Sequence, residues 1–499
     1  MADNSDGIGG NGGYLAITNG RVFPVSGPVI EKGTVLIKGS KIAAVGAAAE
    51  VDIPVGARVV DAAGKVVMPG IVEAHCHLSV FDWGEDAGIM DDLSELNDGI
   101  DLRGLGDLGG LSDRSALAGG GGDPEDLVDR EGGNESPGGR GGAGDGGMGM
   151  LPPATTPDWD YYYAFNPKSD QLKAAVAGGV TTILTRPGSG KVITGIDLVT
   201  KTAGKSRKDM VILHPAGVKM AFGENAKRNF GSRGMMPSTR MGIAAMLREA
   251  LVKAQNYQQR WEEYEKRKAE FEAKMAAGGG GAPGGALDGA PKSPRGGADN
   301  RPPEPPPRNF QMEALVKVLK RELPARIHAH RADDIMTVIR IGDEFGIEFS
   351  LEHATETHRI LDEVKKRNIP CVVGPTYGAR GKIETRGKTF ATPGILEHEG
   401  IKCCITTDAS VVPIEYLRTC ASLAYREGMS EAGAIAAITL WSAEIAKVAD
   451  RVGSLDAGKD ADVVILSGHP LQVTSRVEKV FIDGREVYDV ETNKEEWEK

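Results

Sequence analysis

Cysteine is scarce: Cys76, Cys371, Cys403, Cys404 and Cys420 are five in 499 residues, an odd number with no C-x-x-C pair. That excludes a disulfide framework and a cysteine zinc knuckle, and points to reduced thiols. Positive charge is not in excess either. The 59 Lys plus Arg against 70 Asp plus Glu leave −11, which offers no broad positive field for a phosphate backbone and excludes nucleic acid as a partner. No apolar run approaches the roughly 18 residues of a membrane span. Met1 to Gly13, rich in Gly, Asn and Asp, has neither the basic start nor the apolar stretch of a signal peptide. The expectation is a cytoplasmic protein with no membrane partner.

What the chain has is bulk. Its 40% hydrophobic and 26% charged residues are ordinary for a globular protein with a large core, and its length accommodates one large domain and one smaller. The two ends read as β-meanders. Leu15 to Thr18, an Asn19-Gly20 turn, Arg21 to Pro24, Thr34 to Ile37 and Lys41 to Val45 open the chain; Ala461 to Leu466, Val477 to Ile482, an Asp483-Gly484 turn and Arg485 to Tyr488 close it. Two sheet-forming ends around a different middle predict one small β-sandwich split between residues 14–65 and 451–491, preceded by a disordered tail at 1–13.

The middle, 66–450, alternates strand-like and helical runs, which indicates an α/β fold with a parallel sheet closed into a (β/α)8 TIM barrel. Seven strands are clear: Val66 to His75, Val180 to Thr185, Met210 to Leu213, Ala325 to His328, Glu348 to His353, Pro370 to Val373 and Lys402 to Thr406. The eighth is placed between His214 and Phe222. Two segments read as flexible insertions. Residues 101–150 hold 18 Gly and no aromatic, and 278–307 hold 9 Gly and 8 Pro. Before the second lies an apolar seam, Ile243, Leu247, Ala250, Ala254, Tyr257, Trp261, Tyr264, Phe271 and Met275, spaced by four and three apart from the position skipped at Lys268. It predicts a long helix packed on the barrel or a neighbouring helix, with a dimer coiled coil as the alternative.

Chemistry concentrates at strand ends. In MPGIVEAHCHLSV, His75 and His77 alternate across Cys76, so both imidazoles can face one metal at the C-terminal mouth of the barrel. His328 in ARIHAHRADDI, His353 in GIEFSLEHATE and Asp408 in CCITTDAS each end a later strand. Chance would rarely place four such strand ends in order among nine histidines. His214, His358, His398 and His469 read as surface or packing residues. Arg186 in TRPGSG, and Tyr377 with Arg380 in GPTYGAR, lie on loops where a substrate carboxylate could be held.

The runs VMPGIVEAHCHLSV, AVAGGVTTILTRPGSG, VKMAFGEN, IHAHRADD, LEHATE, TTDAS and DRVGSLDAGKDADVVI together resemble the amidohydrolase superfamily, in its branch related to imidazolonepropionase. The resemblance implies His75 and His77 as a first-strand ligand pair, His328 and His353 as ligands from strands five and six, and Asp408 as the eighth-strand carboxylate. It implies a carboxylated lysine near strand four in binuclear members, for which Lys219 is the match and Glu224 the competitor; mononuclear members would use neither. His330 reads as a substrate group or as a replacement for His328.

The same resemblance implies a divalent metal, Zn²⁺ first, with Mn²⁺, Co²⁺ or Fe²⁺ as options. The expected reaction is hydrolysis of a C–N bond in a small amide, cyclic amide or dipeptide-like substrate by metal-activated hydroxide, with Asp408 as general base and then acid. A mononuclear deaminase is the first rival; the H-x-x-E expected on strand five reads here as His328 followed at the third position by Arg331. A non-catalytic barrel scaffold is the second. A homo-oligomer is expected from what barrels of this kind often form.

Overall fold

The computed structural model describes residues 13–79, 154–277 and 301–497. The insertion expected at 101–150, the tail before Gly13 and the 278–300 part of the second insertion lie outside the described residues.

The small sheet domain draws on both ends of the chain, as expected. β1 (Tyr14–Val22), β2 (Ile30–Lys38), β3 (Lys41–Ala47), β4 (Arg58–Asp61) and β5 (Val66–Pro69) come from the first part, and β14 (Val463–Leu466), β15 (Val477–Ile482) and β16 (Arg485–Asp489) from the last. They form one hydrogen-bonded path in the order β16-β15-β14-β5-β1-β2-β3, with β4 also pairing to β1. The path curls so that Leu15, Ile37, Val67, Val463 and Phe481 share one core. At its closure Gly484, at φ +73°, lies against the Gly39 carbonyl, a spot that a Cβ would occupy and that only glycine fits. The Asn19-Gly20 pair does not turn the chain. It forms an irregularity inside β1, where the register to β2 shifts between Ile17 and Gly20.

The barrel strands are β6 (Ile71–Cys76), β7 (Val180–Thr185), β8 (Ile193–Lys201), β9 (Val211–Ala221), β10 (Ala325–Ala329), β11 (Phe349–His353), β12 (Cys371–Val373) and β13 (Cys403–Ile405), paired in that order. β6, β10 and β11 are buried at every position, as strands covered on both faces must be. A bridge between Cys76 and Ala409, and Thr406 Oγ1 donating to His75 O at 2.7 Å, bring the last strand back to the first.

Three expectations need correction. The run Val66 to His75 is two strands: β5 pairs with β1 and β14 in the terminal sheet, and the barrel begins at Ile71. Met210 to Leu213 and His214 to Phe222 are one strand, β9. The remaining strand is Ile193–Lys201, and it runs antiparallel to both neighbours, so the barrel is not uniformly parallel. Its Lys201 Nζ reaches Asp462 Oδ2 at 2.7 Å and Asp460 Oδ2 at 3.1 Å, tying barrel to terminal sheet.

The predicted seam lies on a 37-residue helix, Arg240–Ala276, capped by Thr239. Ile243, Leu247, Ala250, Ala254 and Tyr257 are buried, with the helix packed mainly on Phe310–Leu319. From Trp261 onward the apolar positions are only partly covered, and Met275 is exposed. No helix among the described residues is long and apolar enough to cross a membrane.

Candidate metal centre

Glu73, His75 and His77 alternate along β6 and just beyond it, and the pleat sends alternate side chains to one side. Each is anchored from behind. His75 Nδ1 meets Glu352 Oε2 at 2.6 Å, and His77 Nδ1 donates to Arg186 O at 2.9 Å. Glu73 accepts from Thr407 through N at 2.9 Å and Oγ1 at 2.7 Å, and burial, offset in part by these donors, pushes its carboxyl up to about 7.

The later strands repeat the device. His328, next to last in β10, places Nδ1 3.0 Å from Ser189 Oγ. His330, just past the strand, places Nδ1 2.8 Å from Thr355 Oγ1. His353, last in β11, donates from Nδ1 to Gly374 O at 2.9 Å. In all five histidines the Nδ1 edge is tied outward and Nε2 is left facing the barrel mouth, the orientation typical of metal-ligating imidazoles. Ring centroids lie 4.6 Å apart for His75 and His353, 4.2 Å for His328 and His353, and 4.7 Å for His328 and His330.

Asp408 completes the ring from the turn after β13. Its Oδ1 lies 3.3 Å from His77 Nε2 and 3.5 Å from His75 Nε2. Among the described residues two donor groups have ligand atoms within 4.8 Å of one another, His75–His353–Asp408 and His328–His330–His353. Asp408 at φ +51° and His353 at φ +69° hold left-handed backbone, a strain of order 1–3 kcal/mol each that recurs at functional sites.

Nε2 of His328, Nε2 of His353 and Oδ1 of Asp408 are buried without a hydrogen-bond partner, although buried polar atoms are normally satisfied. A divalent cation is a group that could supply what they lack. Burial first, and then Lys219 for His75 and His328, His328 for His330 and His353, hold these imidazoles well below their ordinary range. They are therefore neutral, the form that binds metal.

Lys219, in β9, is fully buried, with Nζ 3.3 Å from His75 Nε2. Burial and then Arg186 lower its ammonium to about 8. Glu224, the competing assignment, heads the helix Glu224–Gly231, its carboxylate sits 3.7 Å from Arg228, and it belongs to neither donor group.

Arg186 does not face a substrate. It is completely buried, with Nη1 2.9 Å from Glu352 Oε2 and Nη2 donating to Ala74 O at 3.0 Å, where it holds the carboxylate that orients His75. Tyr377 is 48% exposed, and Arg380 donates to Lys388 O at 2.8 Å; neither joins the cluster. His214, His358 and His469 pair elsewhere, with Asp160, Thr392 and Glu431.

Three acids of this region, Glu73, Glu352 and Glu384, were not singled out from the sequence. Glu352 stands beside His353 in a wholly buried strand, where a carboxylate in an apolar run is itself a signal. Glu384, in the loop after β12, is 1% exposed; its surroundings in GKIETRGK read as a solvated charge run and carry no such signal.

A model described as the amidohydrolase family matches residues 169–487. The solved structure of an amidohydrolase from Thermotoga maritima MSB8 aligns at a TM-score of 0.71 and 31% identity, covering 95% of this chain and 100% of that one. An amidohydrolase of Hapsidospora irregularis is 25% identical over 347 residues, which is 65% of this chain and 32% of the relative. A 5-methylthioadenosine/S-adenosylhomocysteine deaminase of Symbiobacterium thermophilum is 41% identical over 68 residues, 13% of this chain and 16% of that protein. The chain thus spans 32% and 16% of the lengths of these two curated relatives.

Proposed function

The chain belongs to the amidohydrolase family, and from that premise we propose that it is a divalent-metal-dependent hydrolase of a C–N bond in a small amide, cyclic amide or dipeptide-like substrate. The supporting observation is the shared orientation of five imidazoles: each Nδ1 is tied from behind, and the Nε2 edges meet Asp408 at the barrel mouth.

His75, His77, Lys219, His328, His353 and Asp408 would hold the metal, most simply zinc given imidazole and carboxylate donors. When bound, it would acidify a water toward neutral pH and polarise the substrate carbonyl. Asp408 takes the proton of the attacking water on its carboxylate and returns it to the leaving nitrogen, base first and acid afterwards. Its own amide donates to Thr406 Oγ1 at 2.9 Å, and Thr406 Oγ1 in turn donates to His75 O, so the aspartate turn is held to the strand carrying the first histidine pair. Glu352 and the Arg186 carbonyl keep His75 and His77 from rotating. Lys219 stands where the family resemblance implies a carboxylated lysine.

The test is a screen of the zinc-loaded full chain against N-acyl amino acids, dipeptides including Xaa-Pro, and cyclic amides. Metal-dependent release of an amine from one class supports the reading. Inertness across the panel, with metal demonstrably bound, removes it.

A further inference from the structure

The helix Arg240–Ala276 outruns what covers it. At about 1.5 Å per residue its 37 residues reach roughly 55 Å, whereas the helix it packs on, Phe310–Leu319, has 10. Tyr257 is its last buried position; the hydroxyl accepts the Asn309 backbone N–H at 3.3 Å and donates to Glu313 Oε1 at 3.3 Å. Beyond it the stripe runs on through Trp261, Tyr264, Lys268, Phe271 and Met275, the first four half-buried and the last exposed, while every other position from Glu262 to Ala276 is exposed. Among the described residues no hydrogen bond or ion pair joins 261–276 to another element. The side-chain bonds there stay within the helix, as from Gln258 to Glu262 and from Arg267 to the Glu263 carbonyl.

From this we infer that the outer part of this helix, Trp261 to Ala276, is a dimerisation surface whose occupant is the same segment of a second copy, wound on it in parallel as a two-stranded coiled coil. The stripe advances by alternating steps of four and three, the heptad spacing of such a seam. Trp261, Lys268 and Met275 fall on one core position of the heptad, and Tyr264 and Phe271 on the other. The rings of Tyr257, Trp261 and Tyr264 already meet edge to face along it, at centroid distances of 6.2 and 5.7 Å, and no Gly or Pro interrupts the segment. The metal-dependent reading plays no part in this inference.

The charges beside the stripe select both the occupant and its direction. One flank carries Arg260, Arg267 and Lys274, and the other Gln258, Glu265 and Glu272. In a parallel pair each flank faces the opposite flank of the partner's next heptad, which sets Arg260 of each copy against Glu265 of the other, and Arg267 against Glu272. An antiparallel pair would lay basic flank on basic and acidic on acidic. Within their own chain Arg260 and Arg267 reach only carbonyls of the same helix, Asn256 O and Glu263 O, so among the described residues these charges have no ion-pair partner that a second copy would displace. Lys268 fits the same scheme: a single lysine at a core position lowers stability and fixes register and strand number, its stem lying along the seam and its ammonium in water.

Sedimentation equilibrium of the full chain at micromolar concentration tests the surface. We expect a reversible dimer in the wild type. The pair Arg260→Glu and Arg267→Glu turns each attraction into a repulsion and should weaken association by about tenfold or more; adding Glu265→Arg and Glu272→Arg should restore it. Lys268→Cys should give a disulfide-linked dimer on mild oxidation, because equivalent core residues meet only in a parallel pair, while Lys266→Cys, on the outer face, should not. The native cysteines are buried and do not compete. A monomeric wild type, as would follow if residues 278–300 covered the seam instead, would overturn the assignment. So would an association indifferent to the first charge reversal or unrestored by the second, or equal cross-linking at 266 and 268.

Discussion

Glu352 Oε2 lies 2.6 Å from His75 Nδ1, and both side chains are fully buried. Glu352 is itself held by Arg186 Nη1 at 2.9 Å and by Ser350 Oγ at 2.5 Å. A carboxylate behind a ligating histidine fixes its tautomer and raises its basicity, and losing it typically costs 10–100-fold in metal affinity. Glu352→Gln should therefore weaken zinc binding by about that factor while the barrel stays folded, as read by competition with a chromophoric chelator and by circular dichroism. Unchanged affinity would show that the pair only fills the core.

Asp408→Asn keeps one oxygen for the metal and loses the base. We expect metal content to hold while turnover of the best substrate falls by about 10²–10⁴, the usual contribution of a positioned general base. Steady-state kinetics on protein of measured metal content reads this directly, and near-normal turnover would take Asp408 out of proton transfer.

Lys219 is a buried amine lowered to about 8, which keeps part of it neutral and able to add carbon dioxide near neutral pH. ¹³C-labelled bicarbonate should give a carbamate resonance in the zinc-loaded wild type and none in Lys219→Met, whose ion on the His75 side should bind more weakly. A spectrum without that resonance would leave Lys219 as a plain amine beside His75.

Lys201 lies between Asp460 and Asp462 with nearly no exposure. Removing one member of such a buried pair costs about 3–5 kcal/mol, so Lys201→Met should lower Tm markedly at pH 7. The pH dependence has a sign. Burial pushes the Asp460 carboxyl up, but Lys201 and its other partners bring it below its ordinary value. Its stabilising contribution is thus present above the unfolded carboxylate pKa of about 3.9 and disappears as pH falls through the lower folded value. The Tm gap between wild type and variant should narrow below about pH 4; a constant gap would mean that packing, not charge, is lost.

The donors that ended strands were legible from sequence, because period-two alternation and position at a strand end carry their geometry: His75, His77, His328, His353 and Asp408 all reach one mouth. β8 was not. Ile193 to Lys201 mixes threonines, Asp197 and Lys201 with apolar residues, and every position but Ile196 is buried, so neither alternation nor a plain apolar run marked it. Gly195, pressed against the Trp159 backbone, breaks it further. Arg186 was misread because an arginine on a loop after a strand ordinarily faces substrate, whereas here its charge is spent on Glu352 and Asp197. Glu384 is set by tertiary approach to a helix start 160 residues away, a distance no local pattern encodes.

Whether these side chains hold metal is decided by an equilibrium zinc titration of stripped protein. We expect saturable, chelator-reversible binding in the wild type that is weakened at least a hundredfold in a His77→Ala, Asp408→Ala double variant that remains folded. Wild-type protein that takes up no zinc, or a double variant that binds it equally well, would contradict it.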